Sequence, residues 1–216
     1  MRVVESTDSS SLPVVETFHS LQGEGIHGGR SAFFIRLGGC SVGCSWCDTK
    51  QSWPRNVHPK LSLEALRQEA EQATTAGAAF VVITGGEPLE HNLAPLCEVL
   101  QSVGVPLHLE TSGVGELGGT FHWITLSPKP HKPPSPGALA ACHELKVVVH
   151  EASDLSFAEA MAAAAHQARG AGVAAPQLLL QPGWDCASGQ QLAIDFVRSH
   201  PQWRLSLQSH KWLGVR

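Results

Sequence analysis

Nowhere in its 216 residues does the chain carry an apolar run that approaches the roughly 20 residues needed to cross a bilayer. It is not rich in basic residues either. The 15 Lys and Arg are outnumbered by 19 Asp and Glu, and a formal net charge of −4 lacks the positive footprint of a direct nucleic-acid binder. The opening stretch MRVVESTDSSSLPVVE has neither the basic region nor the apolar core of a secretory signal. These absences lead to the expectation of a cytoplasmic protein with no membrane and no nucleic-acid partner. Internal repeats are lacking, and the 12 histidines are scattered with no H-x-x-x-H pair on a helix. Six cysteines in a chain that is neither small nor visibly secreted do not read as a disulfide framework.

What is present is a pattern of short strands and helices. Strands are expected at 14–18, 32–37, 80–84, 107–111, 122–126, 144–149, 177–181 and 203–208, and helices at 62–77, 92–104, 156–172 and 189–200. Ser62 is placed to cap the first helix and Gly77 to end it. The Pro-rich stretch 127–137 is not expected to be helical. Residues 1–12 are expected to be a loose tail, and 13–216 a single domain. The fold class is α/β, mostly parallel. With only about four helices it forms a partial, reduced barrel, since a full eightfold barrel takes around 250 residues.

In such folds the chemistry sits on loops after the C-terminal ends of strands, and each candidate motif falls there. Cys40, Cys44 and Cys47 follow the 32–37 strand as C-x3-C-x2-C. Three thiolates on one loop are soft ligands for an iron–sulfur cluster or for zinc, and no fourth cysteine lies nearby. A cluster held by three cysteines leaves one iron open. Zinc would need His58 or His27 as the fourth ligand. Cys97 sits in an apolar helical pattern and reads as core; Cys142 and Cys186 are isolated and carry no assigned role.

C-x3-C-x2-C with Trp46 before its last cysteine resembles the signature of radical S-adenosylmethionine (SAM) enzymes, and TGGEP (84–88) resembles their GGE motif. Within them, FHSLQGEGIHGGRSAFFIRLGGC (18–40), CDT (47–49), SPK (127–129) and LQSHKWLGVR (207–216) are similar to the 7-carboxy-7-deazaguanine synthase family. The resemblance covers nearly the whole chain after residue 13. It implies a [4Fe-4S] cluster on Cys40, Cys44 and Cys47, SAM on the open iron, and Mg²⁺ at Thr49. The substrate it implies is 6-carboxy-5,6,7,8-tetrahydropterin, converted to 7-carboxy-7-deazaguanine by ring contraction and loss of ammonia. SAM is used catalytically, and no side chain acts as the catalyst.

The residues carried over for SAM are Trp46, Cys47 and Asp48, then Gly86, Ser112, Ser127, Pro128 and Lys129, and finally Gln181, Pro182, Gly183 and Trp184. For the substrate they are Leu21, Gln22, Gly23, Glu24, Arg36, Thr84 and the terminal Arg216, through its main-chain carboxylate. His210 and Lys211 belong to a tail that is expected to close over the site. The family often ends in proline where this chain has Arg216, and His19 stands where an aromatic residue is common. The resemblance further implies a homodimer and an external electron donor such as a flavodoxin. Two alternatives stay open: a glycyl-radical-enzyme activase, which shares the cysteine spacing, and a zinc-binding interaction module.

Overall fold

The computed structural model describes residues 10–216. Residues 1–9 of the expected tail lie outside that range. Chain order begins with strand β1 (Ser11–Leu21), which forms an antiparallel hairpin with β2 (Ser31–Leu37). The short β3 (Lys60–Ser62) pairs with the start of β1. So residues 11 and 12 belong to a strand rather than to the tail, and Leu12 is buried in the core.

Helix α1 (Leu63–Thr75) leads to β4 (Val81–Gly85), and α2 (Ala94–Gln101) leads to β5 (Leu107–Thr111). Next come β6 (Trp123–Leu126), α3 (Pro136–Ala141), β7 (Glu144–Val149), α4 (Ala152–Ala168) and β8 (Gln177–Pro182). The chain closes with α5 (Ala187–Ser199), β9 (Trp203–Leu205) and α6 (Ser209–Leu213). The nine strands form one sheet in the order β3-β1-β2-β4-β5-β6-β7-β8-β9, parallel from β2 to β9. β3 and β9 are its edges, so it curves as an open, partial barrel.

Two local features stand out against the expectation, and one agrees with it. Helix α3 begins inside the Pro-rich stretch: Ser135 accepts from the Ala138 amide, and Pro136 takes the first helical position, where a missing N–H costs nothing. Strand β9 stops at Leu205, and the tail turns into α6, ended by the left-handed Gly214. Helix α1 begins as expected, with Ser62 accepting from the Ala65 amide.

Alternation along the strands sorts their side chains. Phe33, Ile35 and Leu37 of β2 share one core with Val81 and Ile83 of β4, Leu107 and Leu109 of β5, and Ile124 and Leu126 of β6. That face packs against α1, α2 and α3, while α4 and α5 cover Val147, Val149 and Leu180 on the β7–β8 side. The intervening positions face the other way. There Ala32, Phe34 and Val82 form a smaller cluster with Phe80 and Phe18. The same alternation turns Arg36, Thr84, Glu110, Thr125, Lys146 and Gln181 onto this inner face.

Candidate active site

The cysteine loop is fixed from two sides. From its own end, Gly39 N–H donates to Ser52 O and Cys40 N–H to Trp53 O, at 2.8 and 3.0 Å. From the neighbouring strand, Gly86 N–H donates to Leu37 O and Glu87 N–H to Gly39 O, each at 2.9 Å. These two backbones touch because of the glycine pair. A Cβ on Gly85, where φ is 142°, would stand 2.2 Å from Leu37 O, and one on Gly86 would stand 2.2 Å from Gly39 O. The Gly-Gly of TGGEP therefore brings β4 against the cysteine loop at a distance no side chain permits.

The Glu87 carboxylate turns inward. It accepts from the hydroxyls of Thr111 and Ser112 in two short bonds, from Ser112 N–H at 2.8 Å and from Leu89 N–H at 3.0 Å. It locks the TGGEP loop to the ETSG loop. The Ser112 hydroxyl, expected among the SAM residues, is committed to Glu87.

Cys40, Cys44 and Cys47 ring a cavity of about 170 Å³, walled by Gly85, Gly86, Ser127 and Lys129. Among the described residues, no three His, Cys, Asp or Glu side chains converge on a point that would hold one ion. Three thiols lining one cavity are a donor set that fits an iron–sulfur cluster with one iron left open. Neither zinc candidate lines this cavity. His58 bonds to Gln51 O at 2.9 Å, and His27 packs among Phe80, His108 and Trp123. Burial raises the Cys40 and Cys44 thiols, while the Lys129 ammonium works to lower Cys44. Burial lowers Lys129 itself, whose Nζ donates to Ser127 O and Oγ at 2.7 and 2.8 Å.

A second cavity, about 340 Å³, opens beside Cys44 and Cys47 and is lined by Trp46, Lys129, His150, Gln181 and Trp184. The Trp46 ring stands against His150, which also lines this cavity, and against His131, with centroids 5.1 and 5.8 Å away. Gly183 approaches His150 so closely that a Cβ would stand 2.3 Å from its Nε2. Pro182 lines an outer cavity instead, and Pro128 lines neither of these two, although it sits between Ser127 and Lys129, which line both.

The third cavity, about 310 Å³, gathers Leu21, Gln22, Gly23, Glu24, Arg36 and Thr49 with the C-terminal tail. Its floor is Phe18 stacked on Phe34, with centroids 4.8 Å apart and planes 12° from parallel. Thr49 also lines the cysteine cavity, and Glu24 and Asp48 also line the Trp46 cavity, so the three spaces meet. Thr49 Oγ1 lies 3.6 Å from Cys47 Sγ. Thr84 lines the cysteine cavity, beside Arg36 in the β2–β4 register.

The tail is pinned across all of this. Gln208 Nε2 donates to Glu24 Oε1 at 2.9 Å, and Ser209 donates to Gly23 O from both N–H and Oγ. The His210 ring occupies the place a Cβ on Gly23 would need. Lys211 Nζ bonds Asp48 Oδ2 at 2.6 Å and lies 5.0 Å from the Trp184 ring centroid. At the end, Arg216 O accepts from Ser20 Oγ at 2.6 Å.

Sequence reasoning missed the charged residues behind this surface. Lys146 of β7 is buried and forms an ion pair with Glu24. Burial alone would raise the Glu24 pKa, but Lys146 and Gln208 hold it down to about 2; burial works to lower Lys146, and Glu24, Glu110 and Glu144 raise it. Glu110 of β5 accepts from Gln22 Nε2 at 2.7 Å. The signal is present in the sequence: a charge inside LHLET or ELKVVV breaks the apolar run of a strand buried on both faces, and period two sends it inward. Of the other cysteines, Cys97 is buried as expected, with its thiol pushed up to about 11 by burial. Cys142 is buried too, and Cys186 caps α5 by accepting from the Gly189 amide.

Comparison with known proteins agrees with this geometry. The radical SAM superfamily model matches residues 34–116, which span β2, the cysteine loop and TGGEP. A 7-carboxy-7-deazaguanine synthase of Prochlorococcus marinus is 54% identical, over 96% of this chain and 99% of its own length. The Synechocystis enzyme of that name is 50% identical, over 95% and 94%, and the Escherichia coli one 34% identical, over 94% and 98%. The crystal structure of QueE from Escherichia coli superimposes with a TM-score of 0.79 at 32% identity, covering 93% of this chain and 95% of that one.

Proposed function

Because the chain belongs to the 7-carboxy-7-deazaguanine synthases, enzymes of the radical SAM superfamily, we propose that it takes 6-carboxy-5,6,7,8-tetrahydropterin, contracts its ring and releases ammonia. The observation that carries this reading is the meeting of the three cavities at Thr49, Glu24 and Asp48. A flat, carboxylated heterocycle on the Phe18–Phe34 floor would lie next to both the cysteine loop and the Trp46 wall. Cys40, Cys44 and Cys47 would hold a [4Fe-4S] cluster; Trp46, Lys129, His150, Gln181 and Trp184 would enclose SAM. When bound, these groups would supply one-electron reduction and hydrogen abstraction from a substrate carbon.

The chain's own residues bind, orient and exclude water. Gln22 and Glu24 present an amide and a carboxylate to the donor-rich edge of a pterin, with Glu110 and Lys146 fixing each in place. Arg36 offers a planar fork for the carboxylate. The Thr49 hydroxyl is the protein's contribution to Mg²⁺, whose remaining ligands would come from substrate and water, as such a hard ion commonly requires. The pinned tail supplies one wall of the cavity through His210, Lys211, Val215 and Arg216. A homodimer, an external electron donor of the flavodoxin kind and a cytoplasmic setting complete the reading.

The test is anaerobic reconstitution with iron and sulfide, then incubation with the carboxytetrahydropterin, SAM, Mg²⁺ and a reductant. The expected outcome is 7-carboxy-7-deazaguanine with SAM recovered and with the rate lowered by EDTA. Net SAM cleavage without ring-contracted product would point to an activase, and colourless protein with one zinc per chain to an interaction module.

A further inference from the structure

Arg36, the residue suited to hold a substrate carboxylate, already holds one. Its Nε donates to Glu16 Oε1 at 3.0 Å, while Glu16 Oε2 lies 2.9 Å from Arg216 Nη1. Each oxygen of Glu16 therefore has its own guanidinium. Both guanidiniums lie over the Phe18 ring, 5.7 and 6.0 Å from its centroid, at the rim of the cavity floor. Their settings differ: the Arg36 side chain is 19% exposed and that of Arg216 is 71% exposed. Glu16 thus sits between an inner cation that faces the cavity and an outer one that faces water.

We propose that Glu16 is an internal stand-in for the substrate carboxylate, displaced from Arg36 when a carboxylated pterin arrives and kept paired by Arg216 while displaced. The proposal rests on the substrate reading above. Exchanging one carboxylate for another keeps the inner guanidinium paired before and after binding, so it is never left half-buried without an anion. Arg216 already pairs with Glu16 at rest, so it favours the exchange by the amount that this pair tightens once Arg36 has let go. A pterin without a carboxyl group cannot displace Glu16, so the arrangement selects for the carboxylate. The terminal residue is well placed for this role, because its own carbonyl is tied to Ser20 Oγ.

Fluorescence titration of the reconstituted, SAM-loaded full-length enzyme with 6-carboxypterin, and with pterin lacking the carboxyl group, reads the exchange directly. KM and kcat for the carboxytetrahydropterin accompany it. Glu16→Gln removes the competitor and is expected to tighten 6-carboxypterin about two- to fivefold, the scale of a partly exposed ion pair, and to leave pterin unchanged. Arg216→Ala is expected to weaken 6-carboxypterin by a similar factor and raise KM at constant kcat. That effect should vanish in the double variant, where no carboxylate needs holding.

Unchanged or weaker 6-carboxypterin binding in Glu16→Gln, reproduced in Glu16→Ala with both variants folded by circular dichroism, would overturn the exchange. So would an Arg216→Ala loss that persists in the double variant, because Arg216 would then touch the ligand itself. Wild-type enzyme that binds neither pterin overturns the substrate reading and the exchange together. Wild-type enzyme that forms product while Glu16→Gln binds unchanged overturns the exchange alone.

Discussion

The two ends of the inner sheet face are built from opposite materials. At the C-terminal ends of the strands stand charges in pairs: Arg36 with Glu16, Lys146 with Glu24, Lys211 with Asp48. At the N-terminal ends stands a neutral plug of rings. His108 stacks on Phe80 with centroids 4.2 Å apart, His27 touches both Phe80 and His108, and Trp123 stacks on His143. The same alternation that makes one end reactive makes the other a stopper. The difference is one of protonation: at the upper end Lys146 holds Glu24 ionised, while at the lower end burial disfavours a proton on His27, His108 and His143.

The comparison breaks most completely at the cysteines. Replacing Cys40, Cys44 or Cys47 with Ala is expected to abolish product and the iron-linked visible absorbance after reconstitution, with folding of the ring cluster untouched by near-ultraviolet circular dichroism. Next in size is Lys146→Met, which strands the Glu24 carboxylate beside the cavity. Breaking one side of a buried pair typically costs about 3–5 kcal/mol, readable as a fall in the urea midpoint, and Glu24→Gln in the same chain should recover part of it. Because Glu24 is held near 2 in the fold, against 4.5 as its ordinary value, the pair's contribution is present above that ordinary value and fades as pH falls toward 2.

The lower end carries a different acid dependence. Burial, with help from His27 and Arg30, depresses His108 to about 3 from 6.5. Between those values an unfolded chain binds a proton that the folded chain refuses, so stability falls as pH falls through this window. His108→Phe keeps the stacking and removes the titration. It should flatten the loss of stability between pH 6.5 and 3 in urea melts, without altering activity at neutral pH. The smallest expected effect is at neither end: Arg67→Ala on α1, whose partners Glu64 and Glu71 are solvent-facing, should leave the urea midpoint and the activity unchanged.

Much of the site is legible in the sequence because it is written in loops whose residue types at those spacings serve few other purposes. Three thiols at C-x3-C-x2-C announce a metal by spacing alone, while the glycines after the apolar strand and the terminal tail are picked out by the family resemblance. Lys146 and Glu110 carry a signal in the sequence, a charge inside an apolar run, but their partners Glu24 and Gln22 come from a loop far away in the chain and are not legible there. Glu16 escapes notice for a related reason. Between Val15 and Thr17 it reads as an ordinary exposed strand residue, and only the hairpin register, which sets it opposite Arg36, together with a chain terminus 200 residues away, gives it two partners. The helix inside the Pro-rich stretch is hidden because a proline reads as a breaker until Ser135 is seen to cap it, which makes Pro136 a first helical residue.

By itself the sequence determined the parts that depend on residue type and local spacing: the thiols, the glycines that allow backbone approach, the caps and the apolar periods. Only the tertiary structure decided which charge meets which. Electrostatic pairing depends on distances between elements far apart in the chain, and burial decides whether a group keeps its proton; neither quantity exists until the sheet has folded.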